Sequence, residues 1–295
     1  MEHGRLVEEM DLLVRALQEE IVGTLARADG AATFSHDTWD RPGGGGGVAR
    51  VLSEGRLLEK AGVNVSRVHG KLSPQMAQRL PGDGDDFSAV GLSLVLHPRS
   101  PMVPTAHMNV RLLVHGRKAW FGGGADLTPY YLFDEDAAHF HRTWKAACDR
   151  HDPAWYPRFK KTCDDYFFLR HRGERRGVGG IFFEDLGGDP GRELAFVGEV
   201  GRAFLPAWEP IAERRRGLPW GDRERAWQEI RRGRYVEFNL VYDRGTVFGL
   251  ETGGRTESIL MSLPPRVRWV YDHHPEPASE EARLVEVLRE PRQWA

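Results

Sequence analysis

Residues 90–97 alternate without a break. Val90, Leu92, Leu94 and Leu96 fall on one side, and Gly91, Ser93, Val95 and His97 on the other. A period of two predicts a strand with one buried face. Residues 105–115 repeat the pattern, with Met108, Val110, Leu112 and Val114 opposite His107, Asn109, Arg111 and His115. The proline-bearing link 98–104 is too short for a parallel crossover, so the two strands are expected to pair antiparallel. One face of that pair would then carry Ser93, His97, His107, Asn109 and Arg111.

Spacings of three and four predict the helices. Leu6, Met10, Leu13, Leu17 and Ile21 form a stripe over residues 1–28. Further helices are expected from Asp134, as N-cap, to Arg150, and from Pro157 to His171, where Phe159, Cys163, Phe167 and His171 share one side. Another starts near Gly191 and is interrupted or kinked at Pro206 and Pro210. The last two run over Asp222–Arg232 and Ser279–Arg289. Residues 41–47, ending in five glycines, read as a loop, a lid or a connection. They lack the Gly-Lys-Ser/Thr ending of a phosphate cradle. WFGGGADLTPYY (120–131) reads as a strand ending in a glycine-rich turn, and Ile181–Asp185 as a strand. Tyr235–Asp243 alternates again and reads as a strand, followed by a hairpin turn at Arg244-Gly245-Thr246 into Val247–Glu251. The pattern is α+β, a largely antiparallel sheet packed with helices in a single domain, residues 1–295.

Composition narrows the function. The 295 residues hold 41 basic and 43 acidic side chains, a formal net charge of −2, which argues against a general nucleic-acid binder. No apolar run is long enough for a membrane span. The acidic N-terminus is unlike a signal peptide. Two cysteines, Cys148 and Cys163, are too few for a disulfide framework and fit a reducing cytoplasm.

His107-x-Asn109-x-Arg111 places three polar groups on one face of an otherwise apolar strand. That arrangement is costly if buried without a ligand, and Arg111 offers a fork for a carboxylate. Gly122-Gly123-Gly124-Ala125-Asp126 sets an acid after glycines that allow close approach. Asp243-Arg244-Gly245 and Gly253-Gly254-Arg255 put an acid and two arginines at turns, where ordinary turn chemistry competes as an explanation. Among 12 histidines, His97, His107, His141 and His171 could supply a metal site, or each could simply be hydrogen-bonded in place. Arg214-Arg215-Arg216 and Arg231–Arg234 read as solvated helix ends. No nucleophile elbow, Walker loop or dinucleotide fingerprint is present. The residues alone describe an enzyme-like fold with a polar pocket for an anion. A metal-dependent oxygenase and an inactive carrier of the same ligand remain as rivals.

Taken together, AGVNVSRVHG (61–70), GLSLVLHPRSPMVPTAHMNVR (91–111), WFGGGADLTPYY (120–131), FHRTWKAACDRH (140–151), YPRFKKTCDDYFFLRHRGERRGVGGIFFED (156–185) and GRYVEFNLVYDRGTVFGLETGGRTESILMSLPP (233–265) resemble the aerobic, oxygen-dependent coproporphyrinogen III oxidases. The likeness spans about Trp39 to Tyr271. It implies a flat antiparallel sheet between helices on both faces, a cytoplasmic homodimer with Tyr235 to Val270 at the interface, and a step of haem biosynthesis. The reaction it implies is oxidative decarboxylation of the ring A and ring B propionates of coproporphyrinogen III to vinyl groups, giving protoporphyrinogen IX with dioxygen as oxidant. It implies His107 as proton donor and Ser93, Asn109, Val110, Arg111, Gly253, Gly254 and Arg255 as substrate contacts. Asp243, with Asp126 second, fits as acceptor of the pyrrole N–H groups. No organic cofactor is implied. A divalent cation on His97, His107, His141 and His171 is, although its necessity stays open because the substrate can supply the electrons.

Overall fold

The structure, a computed structural model, describes residues 3–251 and 254–295. Among these, seven strands form one antiparallel sheet in the order β1-β2-β3-β4-β5-β6-β9. The strands are β1 (Asp37–Asp40), β2 (Gly45–Ser53), β3 (Leu58–Lys71), β4 (Asp86–Pro98), β5 (Thr105–His115), β6 (Lys118–Thr128) and β9 (Gly179–Leu186). Strands β1 to β6 are a meander, each paired with the next. β9 joins after two helices, α3 (Asp134–Asp149) and α4 (Trp155–Tyr166), and a two-stranded ribbon of β7 (Phe168–Leu169) and β8 (Glu174–Arg175).

The period-two reading sets the two faces of the sheet. Val63, Val65, Leu92, Leu94, Leu96, Met108, Val110 and Leu112 are fully or almost fully buried on one of them. α1 (Gly4–Asp29) and α5 (Pro190–Arg215) cover that face, and the core beneath runs from Val7 to Leu288. The opposite face holds Asn64, Ser66, Gly91, Ser93, His107, Asn109 and Arg111, all half-exposed. Helices α6 (Asp222–Val241), α7 (Arg244–Glu251) and α8 (Thr256–Leu260) stand over parts of this second face. Met261, just after α8, reaches Gly62, and Asn239 of α6 reaches Arg176.

Several expectations change. In α1 the buried stripe is Val7, Met10, Val14, Leu17 and Ile21, so Leu6 and Leu13 lie beside it rather than in it. The glycine run is not a loop throughout. Only Arg41–Gly44 turns, closed by Gly44 N–H to Arg41 O at 2.9 Å, and Gly45–Gly47 open β2. A side chain at Gly47 would meet the Trp39 ring within 2.5 Å, so the glycine lets the indole lie flat on the strand. Gly122–Gly124 likewise sit mid-strand in β6 rather than in a turn.

α5 is continuous through both prolines. Pro210 cannot donate to the carbonyl of Pro206, and that freed oxygen accepts instead from His139 Nε2 at 3.0 Å. α4 ends at Tyr166, so His171 is not in a helical core stripe but half-exposed in the β7–β8 turn.

The expected strand Tyr235–Asp243 is the second half of α6, and the expected hairpin with Val247–Glu251 is α7. The buried positions of α6 mix Trp227, Ile230, Val236 and Phe238 with Gln228, Arg231, Arg232, Tyr235 and Asn239. Polar residues hide the helical period from a count of apolar ones. Arg231 and Arg232 are therefore not solvated ends: Arg232 is 0% exposed and pairs with Glu59 at 2.6 Å, and Arg231 pairs with Glu174 at 2.6 Å. Arg215 is similarly buried against Asp136, over the Phe133 ring.

Candidate active site

The β5–β6 register builds the site. His107 faces Asp126, Asn109 faces Gly124 and Arg111 faces Gly122. On the other side of β5, Asn109 faces Ser93 and Arg111 faces Gly91. The polar row and the glycine row recognised separately in the sequence are thus one surface. It continues through Asn64 and Ser66 of β3. At Gly122 the missing Cβ leaves room for the Arg111 guanidinium, which would lie 3.1 Å from it.

His107 Nδ1 lies 2.9 Å from Asp126 Oδ1. A carboxylate can only accept, so Nδ1 carries a proton, and in the neutral ring the lone pair is then on Nε2. Nε2 has Asn109 Nδ2 at 3.5 Å. Asp126 is 1% exposed. Burial alone would raise its pKa, but Arg176 and His107 outweigh that and hold it below the usual carboxylate range. Arg176 Nη2 contacts both Asp126 oxygens at 2.7 and 2.8 Å, and Nη1 donates to Asn239 at 2.8 Å. The guanidinium is also packed against Phe167 at 4.1 Å and Tyr235 at 4.4 Å. Sequence reasoning missed Arg176 and Asn239. The arginine sits within a run of basic residues that reads as surface, and the asparagine on a segment mistaken for a strand.

Asp126 thus orients His107 from a buried position, with both of its oxygens accepting from Arg176. Asp243 is likewise engaged. Its Oδ1 accepts from Tyr166 Oη at 2.8 Å, and its Oδ2 from the Thr246 amide and hydroxyl, each at 2.8 Å, which caps the start of α7. These contacts are ordinary turn chemistry, and Oδ1 keeps a lone pair for a further donor.

Arg111 Nη2 lies 3.0 Å from Glu184 Oε1. Arg255 Nη2 lies 2.5 Å from Asp37 Oδ2, while its Nη1 is buried without a partner among the described residues. Asp37 and Asn109 are the ends of one cross-strand row through Ala49, Asn64 and Ser93. Four strand spacings put them roughly 19 Å apart. The floor thus has a guanidinium near each end. Ser93 lies between, half-exposed, and the side-chain oxygen of Asn64 is buried without a partner among the described residues. Val110 does not belong to this surface, because its side chain is 0% exposed on the core face. The Gly254 amide is taken by Gly249 O at 2.8 Å, and Gly253 lies outside the described residues.

The four histidines do not converge. His97 Nε2 faces Ser262 O and Nδ1 faces Thr105 Oγ1. His141 Nε2 faces Val178 O and Nδ1 faces Tyr156 Oη. His171 Nε2 faces Glu237 and Nδ1 faces Tyr242 Oη. In each ring Nε2–H donates to an obligate acceptor and Nδ1 takes a hydroxyl, so no lone pair is left for a metal. Among the described residues no three His, Cys, Asp or Glu side chains are grouped to hold an ion. The expected set does not fit a metal site within one chain, and His107 alone of the four directs a lone pair at the polar floor.

The model of the coproporphyrinogen III oxidase family matches residues 9–294. The chain is 52% identical to the chloroplastic oxygen-dependent coproporphyrinogen-III oxidase of Glycine max, with 96% of this chain aligned to 78% of that protein. It is 49% identical to the chloroplastic coproporphyrinogen-III oxidase 1 of Arabidopsis thaliana over the same shares. A match over nearly the whole length, with the His107–Asp126 pair set between Arg111 and Arg255 on one polar sheet face, leaves one conclusion: the chain belongs to the coproporphyrinogen III oxidase family.

Proposed function

We infer that this enzyme catalyses the oxygen-dependent oxidative decarboxylation of coproporphyrinogen III to protoporphyrinogen IX. In each of two rounds a propionic acid arm loses carbon dioxide and becomes a vinyl group. The two electrons and two hydrogens released reduce one dioxygen to hydrogen peroxide. In this reading the macrocycle itself supplies the electrons, so no organic cofactor is required, and no step passes through a metal.

The observation that carries the reading is the His107 lone pair, held by a buried Asp126–Arg176 pair and aimed at a floor with a guanidinium near each end. Arg111 and Arg255 take propionates, with Asn109 and Ser93 in contact with the substrate between them. His107 Nε2 accepts a proton from a pyrrole N–H, which makes the ring electron-rich toward dioxygen, and later returns it. Asp126 stays ionised and stabilises the imidazolium. The pyrrole-binding task assigned to Asp243 from the sequence passes to His107.

Two further parts of the reading concern context. A homodimer is supported by exposed apolar side chains in the segment Tyr235 to Val270, among them Leu240, Val241, Phe248, Leu250 and Trp269. A cytoplasmic, reducing setting is supported by two free, buried cysteines. None of the described helices is long and apolar enough to cross a membrane.

The test is an assay of coproporphyrinogen III with and without dioxygen, read as porphyrin fluorescence after oxidation. Vinyl product is expected only aerobically. Absence of turnover in air, or equal turnover without oxygen, would overturn the reading.

A further inference from the structure

We propose that Phe167 is a positioning residue of the reaction: with Tyr235 and Phe238 it forms an aromatic box that holds the Arg176 guanidinium in line with Asp126 and so keeps His107 oriented. The inference rests on the acid–base reading of His107 above and adds Phe167 and Phe238 to it.

The chain brings ring and guanidinium together twice over. α4 ends at Tyr166, and Phe167 caps it, its amide donating to Cys163 O at 3.1 Å. The β7–β8 ribbon then pairs Phe168 with Arg175. Beyond that rung the Arg176 amide donates to Phe167 O at 2.9 Å, so the backbone sets residue 176 across from residue 167. The side chains repeat the contact. The guanidinium lies 4.1 Å from the Phe167 ring centroid, 4.4 Å from that of Tyr235 and 5.0 Å from that of Phe238. All three rings are buried, and they come from two elements, the end of α4 and α6.

Arg176 needs such a box. Its Nη1 serves Asn239 and its Nη2 serves Asp126, but its Nε is buried with no hydrogen-bond partner among the described residues. A dry cation with an unpaired N–H is costly. Aromatic faces, negative by their quadrupole, offset that cost without supplying an oxygen that would draw the fork away from Asp126. Phe167 also stands at 80° to the His107 ring, with centroids 6.3 Å apart. One ring thus adjoins both ends of the chain Arg176–Asp126–His107 and helps exclude water from it. It carries no group that could bond or protonate the substrate, so its contribution passes through these neighbours.

A double-mutant cycle on the intact protein tests this, with kcat and KM for coproporphyrinogen III taken per folded chain. Phe167→Leu keeps an apolar side chain but removes the π face. It should lower kcat by about three- to thirtyfold, the scale of a desolvated cation–π contact, and move KM less than about twofold. In an Arg176→Gln background the same substitution should cost less than about twofold, because the cation it serves is gone. Phe238→Leu should couple to Arg176→Gln in the same sense, and it replaces Phe167→Leu in the cycle if that variant does not fold. Should Arg176→Gln not fold, Asp126→Asn takes its place. A merely structural role would multiply kcat by the same factor in both backgrounds. That result, an unchanged kcat in Phe167→Leu, or a change confined to KM overturns the box. If Arg176→Gln alone retains full kcat, the acid–base reading itself falls.

Discussion

His107 and Asp126 stand opposite each other in neighbouring strands, with Nδ1 of the one 2.9 Å from Oδ1 of the other. The contact fixes which ring nitrogen carries the proton. Asp126→Asn would leave Arg176 buried with a neutral partner and would let the imidazole adopt the wrong tautomer. Turnover should fall by at least about 100-fold, the low end for losing an organised acid–base group. KM should move far less than kcat, because neither residue grips a carboxylate. A steady-state comparison checks both, and retained kcat would refute the assignment.

Asp243 should behave differently. Asn caps a helix about as well as Asp, so Asp243→Asn should keep turnover within about threefold, whereas Asp243→Ala should cost about 1 kcal/mol of stability through the lost cap. Urea unfolding and the same kinetic assay separate the two effects. A collapse of kcat in Asp243→Asn would return the pyrrole contact to this residue.

The histidine partners make a prediction about metal. Zinc titrated calorimetrically into the purified protein should show no stoichiometric site of micromolar affinity that disappears in His141→Gln. The His141 ring would have to break bonds to both Val178 O and Tyr156 Oη before it could bind an ion. Loss of such a site on that substitution would show that the four rings reorganise around a cation.

Acid should destabilise the fold early. Burial pushes His141 down to about 3 from its ordinary 6.5, and His97 well below 6.5. The folded chain then binds fewer protons than the unfolded one between those values. The stabilisation is complete above pH 6.5 and is lost as pH falls toward 3, by up to about 1.4 kcal/mol per pH unit for each ring. Urea midpoints at pH 7, 6 and 5 should fall steadily, and His141→Gln should flatten the trend. A midpoint constant over that range would contradict it.

Assembly can be read in solution. Val241 is 60% exposed and Leu250 41%. Val241→Asp with Leu250→Asp should convert a dimeric mass to a monomeric one in light scattering at micromolar concentration. Monomers in the unaltered protein would dismiss the interface.

Where burial follows apolar periodicity, the chain was legible. β4 and β5, their antiparallel register and the shared face of Ser93, His97, His107, Asn109 and Arg111 all follow from alternation. Legibility failed where inward-facing positions are polar. α6 buries Gln228, Arg232 and Asn239, so its period was invisible and Asn239 was lost with it. It failed again where glycines lie inside strands, because their turn preference outweighs a register that only neighbouring strands can impose. Asp126 was seen as an acid, but its partner Arg176 lies 50 residues away, beyond any local pattern.

The glycines of the polar face carry a consequence for how much change this protein can tolerate. Gly47, Gly62, Gly91, Gly122 and Gly124 lie on the face that holds His107 and Arg111. Each glycine in a strand forfeits roughly 0.5–1 kcal/mol relative to alanine, so the five together forfeit an amount comparable to a large share of a typical domain's net stability. The working surface is thus a standing deficit, offset by the packed face beneath it. Damage to Leu94, Met108 or Trp208 should silence the enzyme without touching the site, through less folded protein per chain made. Stabilising replacements should be found on the helical side and almost never on the floor.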